Sequence, residues 1–215
     1  MKHPSIRAIT GAIPTTRLDP ATTALIAIDF QNEYFDGRMP IPDGLAALHQ
    51  ARRLIDWADR HAMPVFHAQH LAPAGSPIFA EGSKAFGIHA ELRPAAHHLV
   101  LRKATPSAFS GTPLDAELQA RGIRTLILTG LMTHMCISAT AFDAASRGYQ
   151  ILIASDACAT RDLDLEDGGV LGHRELHRAA LRGVSDVVAE VHTTAAVLQL
   201  LAHGAAAPSS ALAGA

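Results

Sequence analysis

Six short apolar runs punctuate the chain, and the stretches between them are polar, helical in period, or rich in Gly and Pro. Residues 23–28 are apolar almost without a break, the pattern of a strand buried on both faces of a parallel sheet. Similar runs predict strands at 65–69, 98–101, 125–129 and 151–154, and a last short one at 184–191, open to a break by a turn. Between the first two, Leu45, Leu48, Ala51, Ile55, Ala58 and Ala62 recur at spacings of three and four, predicting an amphipathic helix. Further helices are predicted at 114–120, from a turn at Thr133 to a stop at Gly148 with Cys136 in the first helical turn, at 166–182 with a Gly pair in its first turn, and at 193–201. Residues 1–22 read as an irregular arm with Pro4, Pro14 and Pro20, and 71–95 as a long Pro- and Gly-rich loop.

Strands alternating with helices imply an α/β fold: a doubly wound parallel sheet of about six strands, in three layers, with helices on both faces. One domain is expected over residues 1–203, followed by an Ala, Ser, Pro and Gly tail at 204–215. In such sheets, sites form at the carboxyl ends of the strands. Three reactive residues fall there: Asp29 after the first strand, Lys103 after the third and Cys136 after the fourth. With Thr133 as N-cap, Cys136 takes the third helical position, where free N–H groups and the helix dipole favour a thiolate. Free cysteine is also among the most buried residue types, so placement after a strand is what argues for chemistry.

Composition narrows the classes of function. The 215 residues are 48% hydrophobic and 5% aromatic, with a formal net charge of −2. No basic field invites nucleic acid or an anionic membrane. Two cysteines, Cys136 and Cys158, make no disulfide framework. The N-terminus lacks the apolar core of a signal peptide and no stretch is long enough to span a bilayer, so a cytoplasmic protein is expected. His67 and His70 would share a face only on a helix; in a strand their odd spacing separates them, which argues against a metal site. His89, His97 and His98 fit no ligand template, and the glycines do not spell a dinucleotide fingerprint. Asp156 is expected in a turn and Cys158 in a buried wall.

A cysteine, a carboxylate and an ammonium suit acyl transfer: thiolate attack on a carbonyl, loss of an amine, and hydrolysis of the thioester. The lysine would lower the thiol pKa. The run 25–32 ending Asp29-Phe30-Gln31-Asn32, Lys103 with Ser107-Ala108-Phe109, Gly130 through Cys136 with 140–144, and Ser155 through Thr160 together resemble the isochorismatase-like cysteine hydrolases. The resemblance covers roughly residues 20–200. It implies a six-stranded parallel sheet in which Asp29 shuttles the proton, Lys103 is its electrostatic partner and Cys136 is the nucleophile. It also implies a cis peptide at Leu131–Met132, aiming the Met132 N–H beside that of Cys136 as an oxyanion hole. Phe35 and Phe109 are candidate pocket walls. No metal or cofactor is expected, because residues 67–73 lack the Asp-x-His pattern of metal-binding nicotinamidases. The resemblance further implies a homo-oligomer, dimer or tetramer. The expected activity is cysteine-dependent hydrolysis of a small-molecule amide. An isochorismatase-type ether hydrolase, which does not need the cysteine, and a sensor-thiol protein remain as alternatives. Arg102, Arg161 and Arg174 are open as substrate clamps.

Overall fold

A computed structural model describes residues 3–205. Six parallel strands form one sheet: β1 (Thr23–Ile28), β2 (Val65–His70), β3 (Leu99–Lys103), β4 (Thr125–Leu131), β5 (Gln150–Ala159) and β8 (Ala189–His192), with β6 (Leu163–Asp164) and β7 (Val170–Leu171) in a separate hairpin. Their order is β3-β2-β1-β4-β5-β8. The chain winds outward from β1 to β3, then restarts beside β1 at β4 and winds the other way. The switch point therefore lies between the ends of β1 and β4, where doubly wound sheets open a crevice.

Alternation along each strand divides the core. Leu25, Ala27, Ile127 and Leu152 face the layer of α2 (Gly44–Arg60) and α6 (Thr194–Ala205). Ala24, Ile26, Ile28, Leu126, Leu128 and Ile153 face α3 (Leu114–Ala120), α4 (Ser138–Ser146) and α5 (His173–Val187). Helices on both faces explain why the strands read as unbroken apolar runs. In α2 the buried stripe is Ala47, Leu48, Ala51, Leu54, Ile55 and Ala58. Leu45 is exposed, and Ala62 lies beyond the helix at φ 53°.

Several elements differ from the expected ones. A short helix, α1 (Ile6–Ile9), and a 3-10 turn at Pro20–Thr22 interrupt the N-terminal arm. Lys103 ends β3 rather than following it. Residues expected to start a helix at 166 instead make the hairpin of β6 (Leu163–Asp164) and β7 (Val170–Leu171). Gly168 turns it at φ 85°, and α5 begins only after Gly172. Residues 184–187 belong to α5, which leaves β8 shorter than the apolar run. Asp156 sits inside β5, not in a turn; its Oδ1 accepts from the Thr194 N–H (2.6 Å) and hydroxyl (2.8 Å) at the start of α6. Cys158 is buried in the wall of the second core layer, as expected. Helix α6 runs through Ala205, and the rest of the expected tail lies outside the described residues. Among the described residues no helix is long and apolar enough to cross a membrane.

Candidate active site

The switch point is built by two backbone devices. Asp29 leaves β1 at φ 54°, a left-handed conformation that Asp tolerates better than most residues. Beside it, the β4–β5 pairing shifts register between Leu128 and Gly130, where β5 runs from Ile153 to Cys158 and holds the extra residues. Gly130, at φ 141°, packs so closely on β1 that a Cβ there would meet the Ile28 carbonyl oxygen at 2.1 Å. Only glycine fits, and the close approach sets the end of β4 against the residue that precedes Asp29.

From β4 the chain passes through a cis Leu131–Met132 peptide into a wide π-type turn, Thr133–Ile137, before α4. The expected N-cap is therefore not formed. Thr133 Oγ1 instead meets His177 Nδ1 of α5 at 2.8 Å, and Met132 takes the position before the turn. Cys136 stands in this turn, 4% exposed.

The three expected residues converge. Lys103 Nζ lies 2.7 Å from Asp29 Oδ2, with both side chains fully buried. The same Nζ donates to Cys136 Sγ at 3.3 Å and to the Thr105 carbonyl at 3.2 Å, and lies 3.4 Å from His70 Nδ1. Neither oxygen of Asp29 has a hydrogen-bond partner of good geometry among the described residues. The carboxylate is held by charge while its lone pairs stay available for a proton.

Electrostatics here correct one expectation. Burial pushes the Cys136 thiol up, and the Asp29 charge adds to the rise; Lys103 opposes both without overcoming them. Burial and the Asp29 charge thus favour the thiol over the thiolate, and attack by sulfur calls for a base to accept its proton.

Around this centre lie residues that sequence reading did not assign. Tyr34 is buried and feels the charges of both Asp29 and Cys136; burial and Asp29 raise its hydroxyl pKa far above the usual value. Its ring meets Phe79 edge-on at 5.3 Å, and Phe79 in turn packs on His70 at 4.9 Å. Glu33, 2% exposed, accepts the N–H groups of Arg38 (2.6 Å) and Phe79 (3.2 Å), tying the loop after β2 to the segment after Asp29. Arg161, just past β5, acts electrostatically on Tyr34 and on His134. Its Nη1 donates to the Asp162 carbonyl at 3.2 Å, but its Nε is buried and has no partner among the described residues. Glu33 and Tyr34 stand four and five residues past Asp29, the one linear signal that could have flagged them. Phe79 comes from a remote loop and had none, and Arg161 stood only as one of three arginines open as clamps.

The candidate pocket walls fare differently. Phe35 is partly buried, packs on His89 at 4.5 Å, and borders a cavity of about 400 Å³ with Asn32, Ile41, Leu45 and His89. Phe109 is not a wall: it is 4% exposed within the second core layer, against Tyr149 at 5.9 Å and under Arg147. A separate cavity of about 200 Å³ is lined by Asp43, Cys158, Thr160, His173, Arg174 and His177. Arg174 there faces Asp43, and Arg102 pairs with Glu81 on the surface.

One set of side chains, Asp59, His97 and His98, converges closely enough to suggest a metal. It lies before β3, at the opposite end of that strand from Lys103. His98 Nδ1 accepts the Ala95 N–H at 3.1 Å, so the ring carries its proton on Nε2 and donates it to Asp59 Oδ1 at 2.7 Å. That nitrogen has no lone pair to offer. His67 Nε2 then donates to His98 Nδ1 at 3.1 Å, which makes the cluster a hydrogen-bond relay. His67 and His70 do fall on opposite sides of β2, one in this relay and one beside Lys103.

The chain resembles several known proteins over most of its length. It is 36% identical to the uncharacterized isochorismatase family protein YddQ of Bacillus subtilis, over 83% of this chain and 99% of that one. It is 30% identical to the ureidoacrylate amidohydrolase RutB of Methylobacterium radiotolerans, over 90% of this chain and 85% of that one. The crystal structure of an isochorismatase from Pseudomonas putida superposes with a TM-score of 0.85 at 31% identity, covering 91% of this chain and all of the other. Residues 23–196 match the isochorismatase domain. The chain belongs to the isochorismatase family.

Proposed function

We propose that this protein is a cysteine-dependent amidohydrolase acting on a small, non-peptide amide or ureide that carries a carboxylate. The observation that carries the reading is the contact of one buried ammonium with both a carboxylate and a thiol: Lys103 with Asp29 and Cys136. This set suits acyl transfer, whereas an isochorismatase-type ether cleavage does not need the cysteine.

The substrate carbonyl comes to Cys136 Sγ. Asp29, its lone pairs unspent, takes the thiol proton as sulfur bonds to carbon, and the C=O electrons move onto oxygen. The backbone N–H groups of Met132 and Cys136 receive that oxyanion. Lys103 offsets the charge moving between thiolate and carboxylate. Collapse breaks the C–N bond as Asp29 returns the proton to the leaving nitrogen, releasing ammonia or an amine and leaving a thioester. Water, deprotonated by Asp29, attacks the thioester; the carboxylic acid departs and the thiol is restored. The resting thiol fits this order, since proton transfer accompanies attack.

The buried, unpartnered Nε of Arg161 supports an anionic substrate. A guanidinium edge left without an acceptor beside a catalytic centre is complementary to a carboxylate. The relative named ureidoacrylate amidohydrolase is in keeping with that chemistry.

The test is ammonia release across a panel of small amides, carbamoyl compounds and ureides, each with and without a carboxylate, run in parallel on Cys136→Ala. Release that depends on Cys136 and favours the acids is expected. Hydrolysis that persists in Cys136→Ala would overturn the covalent mechanism.

A further inference from the structure

The Lys103 ammonium has three N–H groups and four neighbours. Three of them are the Asp29 carboxylate, held by charge, the Thr105 carbonyl and the Cys136 sulfur, a weak acceptor. The fourth is His70 Nδ1 at 3.4 Å. An ammonium offers only donors, so the nitrogen facing it must present a lone pair. His70 is thereby fixed as the neutral tautomer with its proton on Nε2.

The ring is held at that spot from two sides. Gln31 Oε1 accepts the His70 N–H at 2.7 Å and Gln31 Nε2 donates to the His70 carbonyl at 2.9 Å, pinning the last residue of β2 to the segment that carries Asp29. Phe79 packs against the ring itself. Neither contact uses Nδ1.

We propose that His70 is a positioning residue for Lys103: its neutral Nδ1 holds the ammonium between Asp29 and Cys136, and protonation of His70 releases it. This rests on the amidohydrolase reading of the same site. A protonated His70 would turn an N–H and a positive charge toward the lysine. Lys103 is the cation that faces the ring and Asp29 the anion. Burial first, and then Lys103, hold the His70 pKa below its ordinary value, while Asp29 opposes them. The neutral form therefore prevails at neutral pH and is lost on acidification, which assigns His70 an acid limb in the rate profile.

The experiment compares His70→Asn with His70→Leu. The Asn side chain places an acceptor oxygen near the position of Nδ1 and does not titrate; Leu fills similar space with no acceptor. His70→Asn is expected to keep activity at neutral pH within about threefold while its acid limb moves down by about one pH unit or more. His70→Leu is expected to lose activity at every pH. Iodoacetamide alkylation of Cys136 gives a readout that needs no substrate. Lys103 lowers the thiol pKa, so at a fixed pH near 9 the alkylation rate should fall about tenfold in His70→Leu and be unchanged in His70→Asn. An Asn variant with the parent acid limb, or a Leu variant with the parent alkylation rate, would overturn the proposal. Should no amide be hydrolysed at all, the alkylation rates still decide the role of His70 separately from the reaction.

Discussion

Lys103 Nζ and Asp29 Oδ2 lie 2.7 Å apart with no solvent access to either side chain. Burying a charge costs several kcal/mol, and the pair is tolerable only while both members remain. Lys103→Ala leaves the carboxylate buried alone and is expected to cost about 3–5 kcal/mol of stability together with all measurable turnover. The double replacement Asp29→Leu with Lys103→Met removes both charges and should recover most of that stability with no activity. Chemical denaturation of the three proteins reads the result. A double variant as unstable as Lys103→Ala would mean the pair matters through packing rather than charge.

Asp29 also acts on the thiol. Its charge helps to keep Cys136 protonated, whereas Lys103 favours the thiolate. Asp29→Asn is expected to abolish hydrolysis and yet to make Cys136 more reactive, with alkylation at fixed pH faster by about tenfold or more. Slower alkylation in Asp29→Asn would show that the Asp29 charge does not hold the thiol in its protonated form.

Gly130 offers a backbone test. An added methyl would strike the Ile28 carbonyl, one residue before Asp29. Gly130→Ala should lower kcat by about a hundredfold, the scale on which misplacement of about 1 Å acts, while the chain stays folded at 25 °C. Circular dichroism beside kinetics separates the two effects. Parent-like kcat would show that this approach does not position the carboxylate.

Arg161 predicts selectivity. Arg161→Gln keeps hydrogen-bonding groups and removes the charge. For carboxylate-bearing substrates kcat/KM should fall about 10²-fold, the worth of losing a charged, bidentate contact of about 3 kcal/mol. For the matching neutral amides it should change little. Equal losses on both sets would make Arg161 structural.

The His67 relay predicts how stability depends on pH. Burial first, and then His98, lower the His67 pKa from 6.5 to about 4. The unfolded chain takes up a proton near 6.5 and the folded chain only near 4, so stability falls as pH drops through that window. The full loss amounts to about 3 kcal/mol. Denaturation midpoints at pH 7 and pH 4.5 should converge in His67→Phe relative to the parent. An equal pH slope in both would assign the acid sensitivity to other groups.

The parts of the fold legible in the sequence are those where burial on both faces leaves continuous apolar strands. Asp29, Lys103 and Cys136 could be read because each follows or ends such a run, and the topology brings the strand ends together. The segment 163–172 was not legible in the same way, because Leu165, Leu171 and their charged neighbours fit a helical pattern until Gly168 adopts positive φ. Phe109 shows the limit of motif reading: it stands near Lys103 in sequence but turns into the core beneath Tyr149. His70 meets Lys103 across the sheet, a contact that no periodic or spaced signature marks, and nothing in the sequence chose Arg161 over Arg102 and Arg174. The protonated resting state of Cys136 depends on desolvation, which appears only once the chain is folded.

The covalent step carries the whole account, and it leaves a mass. Acid-quenching the protein during turnover of a substrate found in the amide panel, followed by peptide mass spectrometry, measures it directly. The account predicts an adduct equal to the substrate less its ammonia or amine, on the peptide that contains Cys136 and absent from Cys136→Ala. Turnover with no adduct on that peptide, and with Cys136→Ala still active, would contradict it.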